Sequence, residues 1–181
     1  MAEPKVCVSL EAITVEEMID EATRANIAGA DYVEVRFDKL YLNKPEPITM
    51  VNDDGEEYSK MPPIEEWGVK DFEEIDVEQA IANLKEGIPV PVVFTARAVR
   101  EGGFFAGTEQ ERLQILEQGI KSEVSFVDLE LSIEKKSRDK LVKLASSSNC
   151  QVIASIHETK ATPSAEEIVT MVKDNSSQGD I

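Results

Sequence analysis

Sulfur, basic residues and long apolar runs are all scarce in this sequence. Its 181 residues hold only two cysteines, Cys7 and Cys150. Neither has metal-ligand spacing, which argues against a disulfide framework and fits reduced, structural thiols in the cytoplasm. A single histidine leaves no partner for a zinc ligand set, so no metal is expected. Lys and Arg number 19 against 36 Asp and Glu, a net charge of −17. A surface that acidic repels phosphate backbones and anionic membranes, which excludes nucleic acid as a natural partner. No segment reaches the run of about 18 apolar residues that a membrane helix needs, and the opening MAEPKVCVSLEAITVEE turns acidic before it reaches signal-peptide length. The expectation is a soluble, cytoplasmic protein with no membrane partner.

What is present is an alternation of short β-branched runs with longer amphipathic ones, the pattern of βα units around a parallel sheet. Strands are expected at residues 6–10, 32–37, 90–95, 125–131 and 151–156. Helices are expected at about 15–28, 77–86, 109–121, 134–146 and 164–173. Thr14 with Glu17, Thr108 with Glu111 and Ser164 with Glu167 have the spacing of capping boxes. Gly29 follows the first helix where a left-handed residue is wanted, and Pro163 stands just before the last one. Residues 43–78 break the rhythm with Pro45, Pro47, Pro62, Pro63, an Asp-Asp-Gly turn and the only tryptophan, Trp67. This acidic insertion or long loop carries twelve Asp and Glu against three Lys, a net of −9. A solvated excursion on the surface is the plain reading, with Trp67 as a point where a partner could dock.

Strands of a parallel sheet are covered on both faces and should be almost wholly apolar, so charges within them need a cause. In YVEVRF, Glu34 and Arg36 share one face and Val33, Val35 and Phe37 the other. In SFVDLEL the same alternation sets Asp128 and Glu130 opposite Val127, Leu129 and Leu131. In a barrel the charged set faces the lumen, where carboxylates and a guanidinium meet. Further polar residues fall where strands should end: Ser9, then Arg97 and Glu101, then His157. Barrel active sites occupy that C-terminal rim. Taken singly, each residue has a plainer reading: Glu34 and Arg36 as a mutually neutralising buried pair, Ser9 as a cap, Glu101 as one more surface acid, His157 as a satisfied core histidine. Scattered surface charge, however, has no reason to gather at the same end of five successive strands. His157 also carries the side chain best suited to moving protons near neutrality.

EVRFD, FTARAVREGGFF with its downstream Glu-Arg helix, FVDLEL and SIHETKATPS, in that order, resemble the strand motifs of type I 3-dehydroquinate dehydratase. The resemblance runs from Val6 to the last residue, apart from the acidic insertion. It implies a single domain over residues 1–181 with an α/β fold, a (β/α)8 TIM barrel. It also implies dehydration of 3-dehydroquinate to 3-dehydroshikimate in the shikimate pathway, with no metal or organic cofactor. In that chemistry a lysine amine condenses with the substrate ketone and the iminium acts as electron sink, while a histidine carries protons. By resemblance, His157 is the general acid/base and Glu101 the carboxylate that orients it. Ser9, Glu34, Arg36 and Arg97 are substrate ligands, and Asp128 is a supporting polar group. Arg97 suits a carboxylate because its planar fork donates two bonds at once. Relatives are often dimers, so a homodimer is one partner state the resemblance allows.

The departure from the family comes at the end. The Schiff-base lysine of the family follows an Asp-Ile pair within a few residues, and this sequence closes on Gly179, Asp180 and Ile181. The length of 181 residues is also short of the roughly 250 usual for such a barrel. The resemblance therefore implies a barrel about two to three strands short, with no Schiff-base lysine in this chain; Lys160 and Lys173, expected on a loop and an exposed helix, do not replace it. Two other readings stay open: a non-catalytic half of a split or degenerate barrel that acts by associating with another polypeptide, and another Schiff-base barrel lyase or aldolase.

Overall fold

The apolar periods of the sequence place strands and helices in alternation, interrupted by four short strands within residues 42–69, in the computed structural model, which describes residues 4–181. The first three residues, where the N-terminal reading begins, lie outside the described residues. In chain order the strands are β1 (Cys7–Ser9), β2 (Tyr32–Arg36), β3 (Leu42–Asn43), β4 (Ile48–Val51), β5 (Glu57–Lys60), β6 (Gly68–Val69), β7 (Val92–Thr95), β8 (Phe126–Glu130) and β9 (Gln151–Ser155). The helices are α1 (Val15–Ile27), α2 (Val77–Gly87), α3 (Glu109–Lys121), α4 (Lys135–Ser147) and α5 (Ala165–Asn175).

Five strands form one parallel sheet in the order β1-β2-β7-β8-β9. Among the described residues the sheet is an open arc and does not close into a ring. Asp180 and Ile181 run beside β9, with the Asp180 N–H donating to the Val152 carbonyl at 2.8 Å and the Ala154 N–H donating to the Ile181 carbonyl at 2.9 Å.

One face of the sheet holds the core. Val33, Val35, Phe94, Val127, Leu129 and Val152 are buried there, and the helices cover them. Spacings of three and four set Met18, Ala22 and Ala25 on the inner side of α1, and Ile115, Leu116, Gly119 and Ile120 on that of α3. The rings of Phe37 and Phe94 meet at 5.3 Å, and Tyr41 packs edge-on to Phe105 at 5.0 Å. Burying side chains of this size contributes about 1.5–3 kcal/mol each.

The helix starts follow the capping pattern. Thr108 and Ser164 form complete boxes with Glu111 and Glu167. At α1 only the Thr14 half is made, accepting from the Glu17 N–H at 3.2 Å. Gly29, at φ 95°, closes α1. The strands are shorter at their ends than the apolar runs suggest, because Phe37 already belongs to a 3-10 turn and the chain leaves the ladder beyond Glu130 and Ser155.

Residues 43–78 hold more structure than a loop. The Asp53-Asp54-Gly55 turn joins β4 to β5 as an antiparallel hairpin, and β3 pairs with β6. Every residue of β4 and β5 is exposed. The Trp67 indole donates to the Pro62 carbonyl at 3.0 Å, inside its own segment. The last two residues of this stretch already belong to α2, capped by Asp76. Among the described residues, no helix is long and apolar enough to cross a membrane.

Candidate active site

The face of the sheet opposite the core carries a row of polar side chains, because residues two apart along each strand point the same way. It crosses all five strands. Ser9, at the end of β1, donates to Glu34 Oε2 at 2.6 Å, and Thr95 on β7 donates to Glu34 Oε1 at 2.8 Å. Arg97, two residues beyond Thr95, donates from Nη2 to Asp128 Oδ2 at 3.0 Å and lies 3.6 Å from Glu34 Oε1. The Ser155 hydroxyl of β9 donates to the other oxygen of Asp128. Six side chains therefore link edge to edge, with one guanidinium between two carboxylates.

His157 stands just above this row at the C-terminal end of β9. Its Nδ1 lies 3.5 Å from Glu101 Oε2, within ion-pair range, and both side chains are largely buried. The two are not aligned as a hydrogen bond, and His157 Nδ1 has no protein partner. Arg97 Nε is likewise buried and unpartnered.

Glu101 ends a 3-10 turn formed by Val99–Glu101, and the two glycines after it are what bring that turn back over the sheet. Gly102 is left-handed, at φ 75°. A side chain on Gly103 would run into the Arg97 carbonyl. A β-carbon would be strained at the first position and would have no room at the second.

Arg36 does not pair with Glu34, the partner that its strand face suggested. It makes a two-pronged bond to Asp38, Nε to Oδ1 at 3.0 Å and Nη2 to Oδ2 at 2.8 Å. Asp38 is fully buried and also accepts the Phe104 N–H at 3.0 Å. Burial opposes the charge on Arg36, but the Asp38 carboxylate, with Glu34 and Glu11 nearby, raises its affinity for its proton overall. The Arg36 guanidinium and the Lys39 ammonium each stand 5.9 Å from the centre of the Phe104 ring. Lys39 itself is buried and bonded to Glu11 at 2.5 Å.

A second ionic cluster lies behind the rim. Arg112, fully buried on α3, donates to the Ala96 carbonyl at 3.0 Å, to Glu130 Oε2 at 2.6 Å, and through Nε and Nη2 to both oxygens of Glu109. Burial holds the Glu130 carboxyl above the usual range, more strongly than Arg112 pulls it down. A cavity of about 430 Å³ lies elsewhere. It is an apolar groove between α5, β9 and the last residues, lined by Leu131, Ala154, Ile156, Met171 and Ile181.

The structure thus gathers Ser9, Glu34, Arg97 and Asp128 into one bonded row and places His157 beside Glu101. Arg36 is turned towards Asp38 instead. Thr95, Ser155 and Asp38 were not singled out from the sequence, and Arg112 entered only within the downstream Glu-Arg helix, with no role of its own. The first two follow from a simple extension of the strand alternation, two residues before Arg97 and His157. Asp38 stands in the EVRFD motif itself. Lys160 and Lys173 are exposed, and among the described residues no lysine hydrogen-bonds to a member of the row.

Residues 6–181 match the model of the type I 3-dehydroquinase family. A 3-dehydroquinate dehydratase from Methanothermobacter thermautotrophicus is 29% identical over 177 residues, covering 98% of this chain and 63% of the relative. One from Methanocaldococcus jannaschii is 33% identical over 128 residues, 70% of this chain and 56% of the relative. The type I 3-dehydroquinate dehydratase of Clostridium difficile, solved with covalently modified comenic acid, superposes with a TM-score of 0.72 at 23% identity, over 98% of this chain and 60% of that one. The parallel α/β architecture is thus shared with solved members of the family, and this chain spans roughly 55–65% of the length of the curated relatives named here. With the family model matched from Val6 to Ile181, the chain belongs to the type I 3-dehydroquinase family.

Proposed function

We propose that this chain supplies the substrate-holding and proton-transferring face of a 3-dehydroquinate dehydratase, acting in the shikimate pathway. The observation that carries this reading is the bonded row from Ser9 through Glu34 and Arg97 to Asp128, with His157 and Glu101 beside it at the C-terminal end of the parallel strands.

Dehydration of a β-hydroxy ketone needs a proton taken from the carbon alpha to the carbonyl and a proton given to the departing hydroxyl. In the family's chemistry a lysine amine first turns the ketone into an iminium, which accepts the electron pair released by deprotonation. The residues of this chain account for the remaining work. His157 removes the alpha proton and returns one to the leaving hydroxyl, which departs as water. Glu101, at 3.5 Å, supports the imidazolium between those steps. Arg97 brings the positive charge that the substrate carboxylate needs. Ser9 and Glu34 meet the ring hydroxyls, and Asp128 holds Arg97 in place. Arg36, locked on Asp38, contributes charge at the mouth beside Phe104.

Calorimetric titration with 3-dehydroquinate tests the reading. The chain binds it, and Arg97→Met weakens binding about tenfold to a hundredfold, the value of a charge-assisted hydrogen bond. A folded chain that takes up no 3-dehydroquinate overturns the proposal.

A further inference from the structure

Behind the rim, four charged side chains form an unbroken ionic chain that touches both halves of the proposed catalytic apparatus. Arg112 grips the Ala96 carbonyl, the residue immediately before Arg97, and Glu130, two residues along β8 from Asp128. With its other prong it holds Glu109, through Nε at 3.0 Å and Nη2 at 2.7 Å. Glu109 in turn takes Arg100 Nη2 at 3.0 Å, and Arg100 is the neighbour of Glu101 in the 3-10 turn.

We propose that Arg112 is a positioning residue for this site: through Ala96 it sets Arg97, and through Glu109 and Arg100 it sets Glu101 against His157. The inference rests on the reading of Glu101 and His157 as the acid–base pair. It goes beyond that reading by assigning the geometry of the pair to a side chain that never meets substrate.

Three observations support it. First, the turn has little else to hold it. Val99 and Arg100 are exposed, and its backbone is anchored by the Glu101 and Gly103 N–H groups on the Ala98 carbonyl and by the Val99 N–H on Phe105. A lateral tie from Arg100 is the one side-chain link from this turn to the helix layer among the described residues. Second, a fully buried guanidinium is costly unless its donors are paired, and here all three of its nitrogens bond. The fork fixes three partners at once, which a point-charge lysine in the same place would not do. Third, Arg138 stands at the same fourth position of α4 and reaches the Leu129 carbonyl at 3.4 Å and the Gln178 carbonyl at 2.7 Å. It ties strand to chain in the same manner but forms no ion pair within 4.0 Å among the described residues. The carboxylate relay belongs to Arg112, on the side where the 3-10 turn must be held.

The single histidine makes the test direct, because ring resonances in nitrogen–proton correlation spectra of the labelled chain arise from His157 alone and need no turnover. Glu101→Gln sets the reference by removing the carboxylate beside the ring. The proposal expects Arg100→Met and Glu109→Gln, both at partly exposed positions that tolerate change, to move the His157 ring signals in the same direction as Glu101→Gln. Lys135→Ala on α4, part of an exposed pair with Asp139, should leave them in place. Arg112→Lys should move them as well; if that variant fails to fold, the Arg100 and Glu109 variants still decide. If Glu101→Gln moves the ring while Arg100→Met and Glu109→Gln do not, the relay is structural only and the proposal fails. If Glu101→Gln itself leaves the ring unmoved, the acid–base pairing fails first and takes the positioning role with it.

Discussion

Arg97 donates to Asp128 at 3.0 Å across the gap between β7 and β8, so the guanidinium assigned to the substrate is also a tie between two neighbouring strands. Replacing it leaves Glu34 and Asp128 facing each other without a cation. Arg97→Met should therefore lower stability by about 1.5–3 kcal/mol in urea unfolding at neutral pH, and adding Asp128→Asn should recover part of that loss. Additive losses in the double variant would show that the two residues are not coupled.

The turn that carries Glu101 depends on Gly103, where a side chain would collide with the Arg97 carbonyl. Gly103→Ala should lift the turn from the sheet and abolish 3-dehydroquinate binding, while the chain keeps its helical circular dichroism. Binding unchanged from wild type would mean that the close approach is incidental.

The fold was legible in the sequence because its signals are local. The βα alternation and the Thr108 and Ser164 boxes each need only a few neighbouring residues, and all of them hold. The face assignments of Glu34 and Asp128 followed from the two-residue strand period. Partners across space were harder. The strand face suggested Glu34 for Arg36, but Asp38 lies closer once Phe37 starts a 3-10 turn and folds the next carboxylate back onto the guanidinium. The role of Arg112 was hidden for the opposite reason, since an arginine in a helix reads as a solvated charge until Ala96, just past β7, and Glu130, at the end of β8, converge on it. The hairpin inside residues 43–78 was masked by proline and charge, although its Asp-Asp-Gly turn was visible.

Glu109 and Glu130 share Arg112 yet respond to acid in opposite senses. The Glu109 carboxyl is held below its usual range by Arg112 and Arg100, against the opposing effect of burial. Its contribution is present above the ordinary carboxylate value of about 4.3 and is lost as pH falls through the lowered one. The Glu130 carboxyl is raised by burial, so its contribution is largest below about 4.3 and is lost as pH rises through the folded-state value. Urea unfolding should show Glu109→Gln costing most near neutral pH and least in acid. The stability of Glu130→Gln relative to wild type should improve between about pH 4 and pH 7. Parallel pH trends in the two variants would contradict this account of the cluster.

The two thiols should behave differently towards alkylation. Cys150 is buried, and burial pushes its thiol up to about 11. Cys7 is exposed on the edge strand, with its thiol raised by partial burial and by Glu34. Iodoacetamide at mildly alkaline pH should add one label to the native chain, at Cys7 and more slowly than to free cysteine, and a second only in denaturant. Labelling of Cys150 in the native state would mean that the sheet opens beside it.

The rim of this sheet, from Arg97 to His157, is the proposed seat of 3-dehydroquinate. The most direct measurement of this is the ring spectrum of the sole histidine as 3-dehydroquinate is added to the folded, nitrogen-labelled chain. A saturable shift of the His157 signals, weakened by Arg97→Met, is the expected result. Ring signals that stay fixed throughout the titration, in a chain whose other resonances show it folded, would contradict it.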